Sequence, residues 1–389
     1  MIDFSKKTSR FNSSLIREMT ILANKTGAIN LAQGFPEFAP PKELLNALLK
    51  VTDSVSHQYS ENYGVFETRQ TIAEKRTKEF GFEIGADEIL LTCGSTEAMA
   101  VTYLALFDKG DKIGTFDPFY GSYLSNALLT ESEIIFTPLT GEKFDIDQKA
   151  LEDVFKQGIK AFVLCNPSNP TGKVFTRDEL LNIAELAEKY DVIIITDEVY
   201  EHMVFYPNEH IYFASLPGMY KRTISISSLS KTFSITGWRL GFITAQKEIV
   251  DNIRKFHDLL TVCSPTPLQI AAVTALRFGD EYYHELIQLY GRKKGILLGG
   301  LDELGISHST PNGTYYTLVD FSEFTKLDDV NFAKMLTEKY QIAGVPLSGF
   351  SHNVNGKTVI RFHFAKEDKT LYEVLGNLRR FVNENEKVH

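Results

Sequence analysis

A lysine among hydroxyls, a strand-end carboxylate and a late arginine are the side chains of this sequence best suited to chemistry. The lysine stands in Ser225-Ile-Ser-Ser-Leu-Ser-Lys-Thr-Phe-Ser-Ile-Thr-Gly-Trp-Arg-Leu-Gly. Ile224 and Ile226 alternate with Ser225 and Ser227, which predicts a strand over Thr223 to Ser227. The apolar alternation then stops, and Lys231 follows among Ser227, Ser228, Ser230, Thr232 and Ser234, with Arg239 further on between Gly237 and Gly241. An unhindered amine beyond a strand end can form a Schiff base with an aldehyde, while Ser228 and Arg239 donate to an anionic group on the same ligand. A solvated connection that happens to carry one lysine is the plain alternative.

Five further clusters fall at predicted strand ends or on a late strand. Thr92-Cys-Gly-Ser-Thr-Glu-Ala joins a strand to a helix, so the backbone N–H groups of Gly94, Ser95 and Thr96, with two hydroxyls, can hold a phosphate. An ordinary Ser or Thr N-cap would read the same way. In Asp117-Pro-Phe-Tyr-Gly, Phe119 or Tyr120 can project over the sheet edge and stack on a planar ring, or pack into the core. Asn166-Pro-Ser-Asn-Pro-Thr-Gly makes a rigid turn that can direct the amides of Asn166 and Asn169 into the crevice. Asp197-Glu-Val-Tyr caps the most apolar strand, where a carboxylate is costly unless paired. A protonated heteroaromatic nitrogen would pair with Asp197 and an adjacent phenolic oxygen with Tyr200, although local backbone donors would also satisfy the carboxylate. In Val359-Ile-Arg-Phe-His-Phe, Arg361 and His363 share one strand face and Ile360, Phe362 and Phe364 the other. Arg361 can grip a carboxylate through two parallel N–H bonds or can face water; His363 is assigned no role.

The elements that must position these residues alternate from Val65 onward. Strands are predicted over Glu88 to Thr92, Lys112 to Phe116, Glu133 to Thr137, Ala161 to Cys165, Val192 to Thr196, Thr223 to Ser227 and Leu240 to Thr244, with helices between most of them. Runs such as Val192-Ile-Ile-Ile are apolar on both faces, as in a mainly parallel sheet covered by helices, where ligands collect beyond the carboxyl ends of the strands. After helices near 246 to 260, 267 to 278 and 281 to 303, a smaller α+β unit follows, with strands Thr314 to Asp320 and Thr358 to Ala365. The expected fold is therefore α/β. Residues 48–285 form a large domain with that sheet, and residues 1–47 with 286–389 form a small one.

The net charge of -9 carries no basic run, which argues against nucleic acid as a partner. Cys93, Cys165 and Cys263 are odd in number and widely spaced, so they predict small core residues rather than a disulfide framework or a metal site. Met1 to Asn12 lacks an apolar segment of signal-peptide length and no run approaches a membrane span, which together predict a cytoplasmic protein. The nine histidines show no metal spacing, and neither a Gly-x-Ser-x-Gly elbow nor a Gly-x-Gly-x-x-Gly after a strand occurs.

Asn169-Pro-Thr-Gly, Asp197-x-x-Tyr200, Ser228-x-x-Lys231 with Arg239, and the late Arg361, in that order, resemble the class I aminotransferases, the pyridoxal-phosphate enzymes of fold type I. The resemblance covers essentially the whole chain. It implies pyridoxal 5'-phosphate as cofactor, with Lys231 as its covalent attachment point and the carrier of the proton at the substrate carbon. It implies that Asp197 holds the ring nitrogen protonated, that Asn169 and Tyr200 bond the ring's phenolic oxygen, and that Tyr120 stacks on the ring. Ser95, Thr96, Ser228 and Arg239 would bind the phosphate, joined by Tyr59 from a second subunit, which implies a homodimer with shared active sites. Gly34, Asn169 and Arg361 would meet the substrate carboxylate as the small domain closes over it.

Ala32-Gln-Gly-Phe-Pro-Glu-Phe, the run Asp197 to Phe205 and Gly313-Thr-Tyr-Tyr look most like the methionine, glutamine and kynurenine aminotransferase branch. Ser230 in place of a frequent Gly, Arg239 in place of a frequent Lys, and Ser14-Leu-Ile-Arg where an aromatic is common are departures that bear on the substrate. The expected activity is amino transfer between a neutral L-amino acid and a 2-oxo acid. The alternatives are carbon–sulfur β-elimination in the same site and an aspartate-type aminotransferase. A ligand-sensing regulator on this fold would need a DNA-binding module, for which no residues precede the catalytic fold.

Overall fold

Thr223–Ser228 and Ile193–Asp197 lie side by side in the middle of an eight-stranded sheet and place the lysine turn next to the Asp197 turn. The computed structural model describes residues 2, 4–11, 13–54, 57–354, 356–385 and 387. Met1, Asp3 and Asn12 of the stretch read for a leader lie outside the described residues. Across the sheet the order is Ile89–Thr92, Gly241–Thr244, Thr223–Ser228, Ile193–Asp197, Ala161–Cys165, Lys112–Asp117, Glu133–Thr140 and Asp145–Ile146. The five strands from Thr223–Ser228 to Glu133–Thr140 are parallel, and the outer pairings are antiparallel.

Both faces of the sheet are covered, as the apolar runs require. Ile195, Val163 and Ile113 pack into one core cluster with Val101 and Ile253 from the helices Ser95–Leu106 and Lys247–Thr261. Their neighbours Ile194, Phe162 and Leu164 turn to the opposite cluster with Leu180 and Ile183 of the helix Arg177–Lys189. That helix starts where the sequence sets it. Thr176 accepts from the Glu179 N–H at 3.3 Å, and Glu179 accepts from the Thr176 N–H at 2.8 Å, a reciprocal capping box.

A second, four-stranded antiparallel sheet runs Ser307–His308, Tyr316–Asp320, Val359–His363, Val345–Pro346. Its core gathers Val319, Phe332, Leu336, Ile360, Phe362 and Phe381. The N-terminal segment joins this part of the molecule. Ile29–Asn30 pairs in parallel with Ile342–Ala343, and the His363 N–H donates to Leu31 O. The continuous helix Asp280–Glu303 runs across residue 285, where the boundary between the two sequence units was drawn.

The three cysteines are free and half-buried rather than fully buried; Cys165 packs against the core cluster that holds Ile195 and Val163. No helix among the described residues is long and apolar enough to cross a membrane.

Candidate active site

Four of the five parallel strands, Thr223–Ser228, Ile193–Asp197, Ala161–Cys165 and Lys112–Asp117, supply site side chains at or just beyond their carboxyl ends. After Thr223–Ser228 the chain enters the short helix Leu229–Thr232, with Ser228 as its N-cap; the Ser228 hydroxyl accepts from Ser230 N–H at 3.1 Å and donates to Leu240 O at 3.1 Å. That helix fixes Lys231, whose Nζ donates to Gly34 O at 2.8 Å. Burial lowers the proton affinity of Lys231. Arg361 and Arg239 push it down further, while Tyr316 and Asp197 pull it back, and the net shift is below the ordinary lysine value.

Asp197 is 7% exposed. Its Oδ2 accepts from the Tyr123 hydroxyl at 2.7 Å, whereas Oδ1 is buried with no partner among the described residues. Burial raises its pKa from 3.8 to about 6 against the opposing pull of the Tyr123 and Val199 hydrogen bonds. An acceptor held in this way lacks one donor, and a cationic N–H would supply both the missing bond and the missing charge.

Arg361 is 1% exposed rather than water-facing. Its Nη1 donates to Asn169 Oδ1 and its Nη2 to Ala32 O, each at 2.7 Å, and its Nε has no partner among the described residues. The guanidinium lies between the rings of Tyr316 and Phe350, 4.0 and 4.4 Å from their centres. Three of its five N–H donors remain for a carboxylate, in a pocket that fixes their direction. Of the two asparagines in the rigid turn, only Asn169 faces this arginine; Asn166 accepts from Phe175 N–H at 3.2 Å and donates to Ile211 O.

At the other end of the crevice, the helix Ser95–Leu106 has Gly94 as its N-cap, at φ 83° and without a side-chain cap. Ser95 and Thr96 are therefore not caps, and this removes the plain alternative reading of that motif. A Cβ on Gly94 would lie 2.5 Å from Arg239 Nη2, and one on Gly241 would lie 2.5 Å from Ser95 N. Both glycines are needed to bring the guanidinium against the helix N-terminus. Arg239, itself in the left-handed region at φ 54°, is exposed and donates to Thr236 O at 3.0 Å. A helix N-terminus with an adjacent arginine favours an anion.

The aromatic alternatives separate as well. Phe119 packs against Phe136 and His352, while Tyr120 lies at the crevice with its ring 6.0 Å from that of Tyr123. Tyr200 shares a 3.0 Å hydrogen bond with the Tyr316 hydroxyl. Gly34 sits below them, and its carbonyl accepts from both Lys231 and the Tyr315 hydroxyl. Tyr59 alone is not gathered with the rest, and at 80% exposure it points into solvent. His363 is buried, with Nε2 3.2 Å from Asn30 O. The sequence reading missed Tyr123, Tyr315 and Tyr316 as site residues; the only signal for the last two was the aromatic pair in Gly313-Thr-Tyr-Tyr.

An anion cup, an amine, a buried carboxylate with one empty acceptor and a buried arginine are thus held in one crevice. The first three suit the phosphate, the aldehyde and the basic ring nitrogen of pyridoxal phosphate, and the fourth suits the carboxylate of an amino acid.

Comparison with known proteins gives the same class. The model of the family described as aminotransferase class I and II matches residues 26–378. The chain is 32% identical to the methionine aminotransferase of Escherichia coli (strain K12) over 375 residues, 96% of this chain and 97% of that one. It is 33% identical to a kynurenine–oxoglutarate transaminase of Dictyostelium discoideum over 414 residues, 96% and 95% of the two chains. Among solved structures, the N-succinyldiaminopimelate aminotransferase of Mycobacterium tuberculosis superposes with a TM-score of 0.94 at 32% identity, covering 97% of this chain and all of the other. The chain belongs to the class I and II aminotransferases and is a pyridoxal-phosphate-dependent transaminase.

Proposed function

We propose that the enzyme moves an amino group reversibly between a neutral L-amino acid, such as methionine, glutamine or kynurenine, and a 2-oxo acid. The observation that carries this reading is the convergence of Lys231, the half-satisfied Asp197 and the buried Arg361 in one crevice. Neutral side chains are favoured because the relatives include a methionine aminotransferase and kynurenine transaminases at comparable identity over nearly the whole chain.

Bound pyridoxal phosphate supplies an aldehyde that takes up the amino group and a protonated ring that accepts the electron pair left on the substrate carbon. The chain does the rest. Lys231 Nζ would be the point of covalent attachment for the cofactor and, as a free amine, would carry the proton at the substrate α-carbon. Its lowered proton affinity leaves more of the amine free to act as that base. Asp197 Oδ1 would accept from the ring N–H, Asn169 and Tyr200 would bond the phenolic oxygen, and Tyr120 would stack on the ring. Ser95, Thr96 and Arg239 would hold the phosphate, and Ser228, whose hydroxyl donates to Leu240 O in the cofactor-free protein, would join them. Gly34 and Arg361 orient the substrate carboxylate, with Asn169 bracing the guanidinium.

Residues 48–285 act as the cofactor-binding domain, and residues 1–47 with 286–389 close over the substrate and exclude water. The exposed Tyr59 completes the phosphate site of a second copy of the chain, and exposed Phe66, Leu259, Leu260 and Val262 supply apolar surface for that homodimer. The three free cysteines suit a reducing cytoplasm.

A panel of amino donors, read by the 2-oxo acids formed, tests the substrate class. Methionine, glutamine or kynurenine should lead; aspartate or an N-succinyldiaminopimelate-type donor outcompeting them would refute the neutral preference. Pyruvate, ammonia and a thiol from cystathionine, without need of an added oxo acid, would instead mark a carbon–sulfur lyase.

A further inference from the structure

Nothing in the roles above uses the hydroxyl of Tyr316. This residue opens the strand Tyr316–Asp320, pairs across the antiparallel register with His363, and is buried. Arg361 lies over its ring, and its hydroxyl bonds that of Tyr200 at 3.0 Å. A Cβ on Gly34 would overlap this hydroxyl, so the oxygen is wedged against the same glycine whose carbonyl accepts from Lys231. The charged and titratable groups facing Tyr316 come from every element around it. They are Lys231 from the short helix, Arg361 and His363 from the neighbouring strand, Tyr200 from the Asp197 turn, Tyr120, Tyr290 and its own neighbour Tyr315. Burial pushes the Tyr316 phenol up, but the positive charges of Arg361 and Lys231, together with its Tyr200 and Tyr315 neighbours, bring it below the ordinary tyrosine value. Burial leaves Tyr200 and Tyr315 well above that value.

We propose that Tyr316 is a positioning residue for amino transfer: wedged between Gly34 and the Arg361 guanidinium, its hydroxyl orients the Tyr200 O–H and sets a second ionisable phenol beside the Lys231 amine. The inference rests on Lys231 being the attachment point of the cofactor. Tyr316→Phe keeps the ring and its packing on Arg361 and removes one oxygen, so the fold is retained. The informative readout is the pH titration of the visible absorbance of purified holoenzyme, which reports the proton on the Lys231 nitrogen, with kcat and KM measured beside it. Removing an ionisable oxygen that favours the protonated Lys231 nitrogen disfavours that form, so the midpoint moves to lower pH by about half to one unit. With Tyr200 no longer held, kcat falls about tenfold while KM for the amino donor changes less than about twofold. A midpoint within about 0.2 unit of the wild type, or an unaltered kcat, overturns the proposal, since a phenol used only for packing would move neither. A wild-type holoenzyme with no visible band would refute the Lys231 assignment together with this inference; a normal band whose midpoint ignores Tyr316→Phe refutes this inference alone.

Discussion

Asp197 pays a desolvation penalty in the cofactor-free protein that can be measured directly. Its folded pKa of about 6 lies above the 3.8 of an ordinary aspartate because the carboxylate is buried and Oδ1 has no donor. For an acid raised in this way, the contribution to stability is fully present below pH 3.8 and is lost as pH rises through about 6. The shift of roughly two units corresponds to about 3 kcal/mol once the carboxylate is fully ionised. Linkage places about 1.5 kcal/mol of that loss between pH 5 and pH 7.5. Asp197→Asn cannot titrate. Urea unfolding of cofactor-free wild type and variant should therefore show the variant gaining about 1.5 kcal/mol relative to wild type over that interval, whatever its offset at pH 5. Saturating pyridoxal phosphate should abolish the wild-type loss, because a ring N–H then meets Oδ1. A difference between the two proteins that ignores pH would refute the claim that Asp197 waits, strained by burial, for a cationic partner.

Two further substitutions probe the surroundings. Arg361→Ala should weaken binding of substrate-like dicarboxylates and monocarboxylates by a hundredfold or so, while the cofactor stays bound with nearly unchanged affinity; equal loss of both, followed by spectral titration, would remove Arg361 from the substrate site. Arg76, 1% exposed, donates to Glu79, to Glu201 Oε2 at 2.7 Å and to Ser227 Oγ at 2.7 Å, joining the turn that carries Tyr200 to the strand that carries Ser228. Arg76→Met strands the buried Glu201 carboxylate and should cost about 3–5 kcal/mol in denaturant unfolding, whereas Arg76→Met with Glu201→Leu should recover most of it; a single variant within about 1 kcal/mol of wild type would contradict that reading.

The chemistry-bearing turns were legible because a parallel sheet covered on both faces leaves only its strand ends for polar groups. Lys231, Asp197, Asn169 and Arg361 each follow or sit on an apolar run long enough to show its period. Boundaries shifted by one to three residues, as when the strand expected over Val192 to Thr196 proved to be Ile193–Asp197 and took in the carboxylate itself. Strands of two residues, such as Ile342–Ala343 and Val345–Pro346, have no period to read. The partners of the site residues were not legible for a different reason. Tyr123 reaches Asp197 across 74 residues, Tyr316 reaches Tyr200 across 116 and Asn169 reaches Arg361 across 192, and local pattern carries no record of such pairings. Gly94 illustrates a third case. The need for glycine at this N-cap shows in its φ of 83° and in the closeness of Arg239, which only the folded chain reveals.

The central claim is that Lys231 holds pyridoxal phosphate covalently. Borohydride treatment of the purified enzyme, followed by absorbance and mass analysis of its peptides, tests it most directly. The claim predicts a visible cofactor band in the wild type, its loss on reduction, and the pyridoxyl mass on the peptide containing Lys231. A protein without the band, or a Lys231→Ala variant that still fixes the cofactor on reduction, would contradict it.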